Sequence, residues 1–348
     1  ASGRSAEINT CIACNQACLD HVFESKLATC LVNPRAAHET ELVYAPAAQR
    51  KRVAVVGAGP AGLACATVAA ERGHAVTLFD ANTEIGGQFN VAKRIPGKEE
   101  FHETLRYFRH RLEETGVVQR LGTQVGAADL TGFDEVVLAT GIVPRKVDFP
   151  GADHPGVVSY LDVLLGKVQA AERVVVIGAG GIGFDIAEFL THPGDNKTAL
   201  ERFQDEWGID STLAARGGLK PPEKETSPRQ VWLLQRKTSK VGDGLAKTTG
   251  WIRRSLLTMR DVRMLAGVTY ERIDDTGLHV SMGGKTQCLR VDTVVICAGQ
   301  DPCRDLETSL RTAGIPYSLI GGADLAEELD AKRAIDQGTR LADRKSVV

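Results

Sequence analysis

Val53-Ala-Val-Val-Gly-Ala-Gly-Pro-Ala-Gly62 decides the fold. Its apolar run predicts a buried parallel strand over 52–57. The glycines at G-x-G-x-x-G spacing predict a tight turn into a helix over 60–72. Gly57 allows the turn, Gly59 lets backbone approach a pyrophosphate, and Gly62 lets helix and strand pack closely. Pro60 suits the first helical turn, where its missing N–H costs nothing, and Gly73 suits the helix end. Val76-Thr-Leu-Phe-Asp80 reads as the next strand, with Asp80 at its end, placed to accept from ribose hydroxyls. A lone glycine fingerprint says little. Strand, turn, helix, strand and terminal acid together predict a nucleotide site with the pyrophosphate on the helix N-terminus.

The pattern recurs. Arg173-Val-Val-Val-Ile-Gly-Ala-Gly-Gly-Ile-Gly183 repeats the strand and turn with Gly178, Gly180 and Gly183, and Phe184 to Leu190 read as a helix. Residues 191–228 interrupt with prolines and glycines and read as an excursion or lid. The partner strand, from Gln230, ends not in an acid but in Gln235-Arg236-Lys237, with Lys240 close behind. Cations there suit the 2′-phosphate of NADP, which an arginine can grip bidentately; the bland alternative is a solvated basic turn. Two further strands end in matching turns, Val136 to Gly141 and Val294 to Gly299, and Ser318 to Asp324 gives a short strand, glycines and an acid. A helix from about Glu327 to Ala342 closes the chain. Two similar halves imply an internal duplication, the second copy inserted into the first.

Upstream, Cys11, Cys14, Cys18 and Cys30 are spaced C-x2-C-x3-C-x11-C. Four thiolates can hold a [4Fe–4S] cluster or a structural zinc, or the thiols can be free or paired. Zinc usually shows two close pairs, and one knot with a distant fourth ligand suits a cubane better. The other cysteines, Cys65, Cys288, Cys297 and Cys303, form no C-x-x-C or C-x4-C pair, so the redox disulfide of disulfide reductases is not expected. Cys65 lies on an alanine-rich helix face and reads as core. His21 and His38 read as surface or capping residues, and Trp207, Trp232 and Trp251 as packing residues.

Composition narrows the class. A chain of 348 residues allows two or three domains, and 36 glycines suit several glycine turns. The net charge of −2 carries no basic footprint for nucleic acid. No apolar stretch approaches a membrane span. Eight cysteines in a chain this long do not form a disulfide scaffold and favour a reducing, cytoplasmic setting. No Ser–His–Asp set or carboxylate pair stands out, so no catalytic residue for acid–base chemistry on a carbon substrate is assigned.

Cys11-Ile-Ala-Cys-Asn-Gln-Ala-Cys18, Cys30-Leu-Val-Asn-Pro34 and the paired glycine turns resemble the C-terminal part of bacterial NADPH-dependent 2,4-dienoyl-CoA reductases. Glu84-Ile-Gly-Gly-Gln-Phe-Asn90, Arg94 to Phe101, Gly141 to Arg145, Glu206 to Asp210, Lys247 to Ile252 and Ala331 to Arg340 extend the likeness over most of the chain. The resemblance implies FAD on the first half, NADPH on the second, and a [4Fe–4S] cluster on the four cysteines. It implies an FMN-containing barrel in the parent protein, with this chain as the C-terminal part of something longer. It makes Asp80 the FAD ribose acid and Gln88 and Lys98 flavin contacts. Gln16 would bridge cluster and FAD regions, and Asp324 would lie near the ribityl chain, where a helix cap is the alternative. Ala61, Gly87, Val125, Thr140 and Gly141 complete the candidate cofactor-binding positions.

The expected fold is therefore α/β: two Rossmann-like three-layer nucleotide-binding domains, the second inserted in the first, preceded by a cysteine-rich cluster-binding segment. The expected boundaries are 1–49 for the cluster segment, 50–155 plus 315–348 for FAD and 156–314 for NADPH. The expected function is an electron-input module of a 2,4-dienoyl-CoA reductase of unsaturated fatty-acid β-oxidation. The alternatives are an amine-dehydrogenase-type fragment and a non-catalytic nucleotide sensor.

Overall fold

A computed structural model describes residues 3–194, 197–327 and 331–344. The chain divides into two compact units, Ala1–Arg94 with Lys98–Val143 and Gln300–Val348, and Ile95–Gly97 with Pro144–Gly299. In chain order the first unit supplies β1 (Arg52–Val56), α1 (Pro60–Glu71), β2 (Ala75–Phe79), α2 (Phe101–Glu114), β3 (Val118–Arg120) and β4 (Glu135–Leu138). The second supplies β5 (Val157–Ser159), β6 (Arg173–Ile177), α3 (Gly181–Thr191), α4 (Ala199–Glu206), β7 (Gln230–Leu234), α5 (Gly250–Met259) and β8 (Arg263–Leu265). It continues with β9 (Thr269–Asp274), β10 (Gly277–Met282), β11 (Lys285–Leu289) and β12 (Thr293–Ile296), and the chain returns to the first unit with β13 (Tyr317–Leu319) and α6 (Ala331–Asp343).

The α/β expectation holds. The first unit's sheet runs β13-β4-β1-β2-β3, all parallel. The second unit's runs β5-β12-β6-β7-β8, also all parallel. Parallel strands covered on both faces become continuous apolar runs, and Val53 to Val56 and Val174 to Ile177 are buried throughout. The glycine-ended strand lies centrally in each sheet, so its turn opens at the strand carboxyl ends, where nucleotides bind in such sheets.

Two features depart from the sequence reading. The excursion at 191–228 contains α4, capped by a reciprocal box in which Thr198 Oγ1 accepts from the Glu201 N–H and the Glu201 carboxylate accepts from the Thr198 N–H. Residues 269–289 form an antiparallel meander, β9-β10-β11, with Ile273, Leu278, Val280 and Leu289 on its buried face. The closing helix is described from Ala331, and 328–330 of its expected span lie outside the described residues. Of the tryptophans, Trp232 is buried, but Trp251 is 53% exposed and meets Trp207 edge-on.

The cysteine segment packs on the first unit. Ala17, Leu31 and Val32 are buried in the same core as α1 and α6, with Ile12, Cys14, Cys30 and Tyr44 against it. Among the described residues no helix is long and apolar enough to cross a membrane.

Candidate nucleotide sites and the cysteine loop

Both glycine turns are built alike. Gly57 sits at φ +110°, where a Cβ would lie 2.3 Å from the Ala139 carbonyl oxygen; Gly178 sits at φ +107°, where a Cβ would lie 2.5 Å from that of Cys297. Gly62 and Gly183 leave room only for hydrogen, since a Cβ on either would fall 1.8 Å from the carbonyl oxygen of Gly57 or Gly178. Gly59 and Gly180 differ. A Cβ on Gly59 would meet only Gly87 Cα at 4.0 Å, and one on Gly180 nothing within 4 Å. The open positions lie where a pyrophosphate would approach. The first N–H groups of α1 and α3 carry no side-chain cap, so both helices present free donors and a positive dipole end to an anion.

In the first unit the structure gathers candidates from distant stretches around the α1 N-terminus. Asp80 Oδ2 accepts from the Ala58 N–H at 2.6 Å, and Oδ1 accepts from the Asn82 N–H at 2.7 Å and Asn82 Nδ2 at 2.9 Å. The carboxylate is thereby fixed beside the turn, with lone pairs left for hydroxyl donors. Gly87, at φ +50°, lies against the turn, since a Cβ there would come within 2.9 Å of Gly59 Cα. Gln88 opens a short helix, Phe89–Ala92. Thr140 Oγ1 donates to the Cys303 carbonyl at 2.6 Å, and the Cys303 N–H returns to the Gly141 carbonyl at 3.0 Å. Val125 is buried beneath β1 and β2, in the core with Val56 and Phe79. Lys98 lies just ahead of α2, and its carbonyl accepts from the Phe101 N–H at 3.3 Å.

Three glycines that carried no role in the sequence reading complete this region. A Cβ on Gly338, in α6, would sit 2.2 Å from the Ala61 carbonyl, one on Gly321 2.8 Å from Ala61 Cβ, and one on Gly322 3.0 Å from the Gly141 carbonyl carbon. Asp324 Oδ2 accepts from Gln337 Nε2 at 2.7 Å, while Gln337 Oε1 accepts from the Gly321 N–H at 2.8 Å. Asp324 is thus held by α6 close to the glycine pair.

In the second unit Gln235 turns back on its own loop, Nε2 donating to the Lys237 and Ser239 carbonyls at 3.1 and 2.6 Å. Arg236, Lys237 and Lys240 are exposed. Neither Arg236 nor Lys237 has a side-chain hydrogen bond or ion pair among the described residues. In strand register Gln235 takes the place of Asp80, and two unneutralised cations, Arg236 and Lys237, follow it directly.

The cysteine loop turns through left-handed backbone at Ala13 (φ +51°) and Asn15 (φ +59°). The Ala13 N–H donates to Cys11 Sγ at 3.4 Å. Burial pushes the Cys14 thiol up, a hydrogen bond from the Gln16 backbone pulls it down, and Cys30, Cys18 and Cys11 each push it up. Cys14 and Cys30 both pack against the first unit's core. Among the described residues, no three His, Cys, Asp or Glu side chains converge on a single ion position. Zinc needs its thiolates at about 2.3 Å from one point, whereas a cubane spreads four thiolates over four irons. Four thiols on one loop, with the Ala13 N–H already on Cys11 Sγ, are the donor set that either group would draw on. His21 Nδ1 meets the Leu27 carbonyl at 2.9 Å and Nε2 meets Lys332 Nζ at 3.3 Å, while His38 Nδ1 pairs with Glu41 at 3.0 Å.

All eight cysteines are unpaired, and Cys65 is fully buried as read from sequence.

A model of the pyridine nucleotide-disulphide oxidoreductase family matches residues 51–330. The metal reductase of Desulforamulus reducens is 31% identical over 339 residues, covering 92% of this chain and 48% of that protein. The NADH oxidase of Thermoanaerobacter brockii is 32% identical over 332 residues, covering 92% of this chain and 46% of the oxidase. Among solved structures, a 2-naphthoyl-CoA reductase in complex with 2-naphthoyl-CoA superposes at a TM-score of 0.82 and 28% identity, over 97% of this chain and 47% of the reductase. The chain spans about half the length of the curated relatives it matches.

Proposed function

The chain belongs to the pyridine nucleotide-disulphide oxidoreductase family, whose members work with FAD and NAD(P)H, and from that premise we propose that it is the electron-input half of an NADPH-dependent reductase. One observation carries the reading: of two matching glycine turns, one is bonded to a fixed carboxylate, Asp80, while the strand paired with the other runs through Gln235 into two exposed, unpartnered cations. FAD fits the first. Asp80 accepts from its ribose, the open α1 N–H groups receive its pyrophosphate, and Gly87, Gln88, Lys98, Thr140, Gly141 and Asp324 lie along the rest. NADPH fits the second, with Arg236 and Lys237 on the 2′-phosphate and the α3 N-terminus on the pyrophosphate. When bound, the two cofactors supply hydride chemistry; the chain's residues bind, orient and charge-match them.

Cys11, Cys14, Cys18 and Cys30 would hold a [4Fe–4S] cluster, which supplies one-electron transfer. The electrons are proposed to leave for an FMN-containing barrel of a longer protein, and the end reaction to be reduction of a 2,4-dienoyl-CoA. The motif resemblance, the half-length coverage of the relatives, and the acyl-CoA thioester named for the 2-naphthoyl-CoA reductase support this. Ile8, Leu19, Val22, Phe23 and Leu27, all exposed around the cysteines, offer an apolar face to such a partner.

An anaerobic absorbance spectrum of the purified chain, before and after NADPH, tests the reading. The expected result is flavin bands that bleach with NADPH faster than with NADH, above a broad iron–sulfur shoulder. Nucleotide binding without bleaching would make the chain a sensor and overturn the proposal.

A further inference from the structure

The stretch that leads into Cys11 has little structure of its own. Among the described residues before Thr10 the regular element is a single 3-10 turn, Ser5–Glu7. One side chain from α2 fixes its path. Arg106 Nε donates to Glu103 Oε2 at 2.7 Å, one turn earlier on the same helix, which aims the guanidinium fork. One terminal nitrogen then donates to the Ser5 and Ala6 carbonyls at 3.0 and 2.7 Å, and the other to the Ile8 carbonyl at 2.9 Å and Thr10 Oγ1 at 3.0 Å. A guanidinium has five N–H donors, and all five are used, four on the residues just ahead of Cys11. The helix beneath is rigid, with Leu105, Phe108 and Leu112 buried in the core.

The other arms of the loop are tied independently. Asn9 Nδ2 donates to the Val32 carbonyl at 2.8 Å, linking the stretch before Cys11 to the one after Cys30. The Thr29 N–H donates to the Ala17 carbonyl at 2.8 Å, linking the neighbours of Cys30 and Cys18.

We propose that Arg106 is a positioning residue for Cys11: it holds residues 5–10 on α2, so the first thiolate stands ready for an iron–sulfur cluster before the cluster arrives. The inference rests on the cluster reading above and adds a residue outside the cysteine motif to it. Lysine cannot substitute, because a compact ammonium with three donors lacks the fork whose two terminal nitrogens reach four acceptors here.

The test compares wild type, Arg106→Lys and Arg106→Ala chains in two arms. In the first, amide hydrogen exchange is followed at Glu7, Ile8 and Ala13 in iron-free chain. In the second, chain reconstituted anaerobically with ferrous iron and sulfide is challenged with bathophenanthroline, and iron loss is timed. Faster exchange in both variants is expected. Iron loss should quicken about 10-fold or more, the usual scale for removing a group that orients a metal ligand, while flavin per chain is unchanged. Unchanged exchange in Arg106→Ala, or faster exchange with unchanged iron retention, overturns the proposal. A general loss of flavin with iron overturns it too, as a merely structural effect. A wild-type chain that takes up no iron defeats the cluster reading itself, and Arg106's role toward Cys11 with it. That outcome is recognisable because the exchange arm still separates the variants.

Discussion

Asp80 and Ala58 are joined by a 2.6 Å hydrogen bond, the Ala58 N–H donating to Oδ2, so the acid at the end of β2 is fixed to the middle of the glycine turn after β1. The carboxylate closes the turn and keeps acceptor capacity for a ribose. Hydrogen bonds to charged groups contribute about 1.5–3 kcal/mol. Asp80→Ala should lower flavin affinity by roughly 10-fold or more, read as flavin per chain after gel filtration. Full flavin retention would remove Asp80 from the site.

The two kinds of glycine in the second turn separate stability from binding. Gly183→Ala would place a methyl 1.8 Å from the Gly178 carbonyl, and such overpacking costs about 1–3 kcal/mol or more. Gly180→Ala meets nothing within 4 Å, and its backbone, at φ −82° and ψ −171°, is open to any residue. Gly183→Ala should therefore lower the unfolding midpoint in a thermal scan. Gly180→Ala should leave it nearly unchanged, yet weaken NADPH by blocking the pyrophosphate's approach. Equal midpoints for the two variants would contradict the geometry.

Local signals carried the legible part of this molecule. Val53 to Asp80 states strand, turn, helix, strand and acid within one contiguous stretch, so the first half could be read without its surroundings. Gly338 could not. A glycine inside a helix reads only as a cost, and its reason, the Ala61 carbonyl 2.2 Å from where its Cβ would be, lies far away in the chain. Helix α4 was legible but overlooked: Thr198-Ala-Leu-Glu201 is a capping box, masked by the prolines and glycines on either side. The meander at 269–289 was legible too, since Leu278, Val280 and Met282 alternate with polar residues ahead of a Gly283-Gly284 turn. Arg106 gave no sequence signal for this role, since three of its five acceptors are backbone carbonyls far away in the chain.

Arg236 and Lys237 should decide which nicotinamide dinucleotide is preferred. Both are exposed and unpaired among the described residues, so their charge is available to a 2′-phosphate. Arg236→Ala should raise the KM for NADPH about 10-fold or more through loss of a charge-assisted bond and leave that for NADH nearly unchanged. The NADPH effect should shrink at high salt, where exposed charges are screened. Equal losses for both nucleotides would sink the 2′-phosphate assignment.

The second unit should weaken in mild acid through His192. Burial, and then the positive Arg202 and Arg260, hold the imidazole below its ordinary value of 6.5, against a smaller opposing pull from Glu225. Both arginines are themselves buried and paired, Arg202 with Glu225 at 2.6 Å and Arg260 with Glu206 at 2.6 Å. Their charges therefore persist through the range in question. The unfolded chain takes up a proton near pH 6.5 and the folded chain resists it to lower pH. Stability from this residue is thus complete above about 6.5 and declines as pH falls toward the depressed folded value. His192→Gln removes the titrating group, so its unfolding midpoint should change less than that of wild type between pH 7 and roughly pH 5. Parallel pH profiles for the two chains would show that His192 titrates alike in folded and unfolded protein, and that its two arginine neighbours are screened from it.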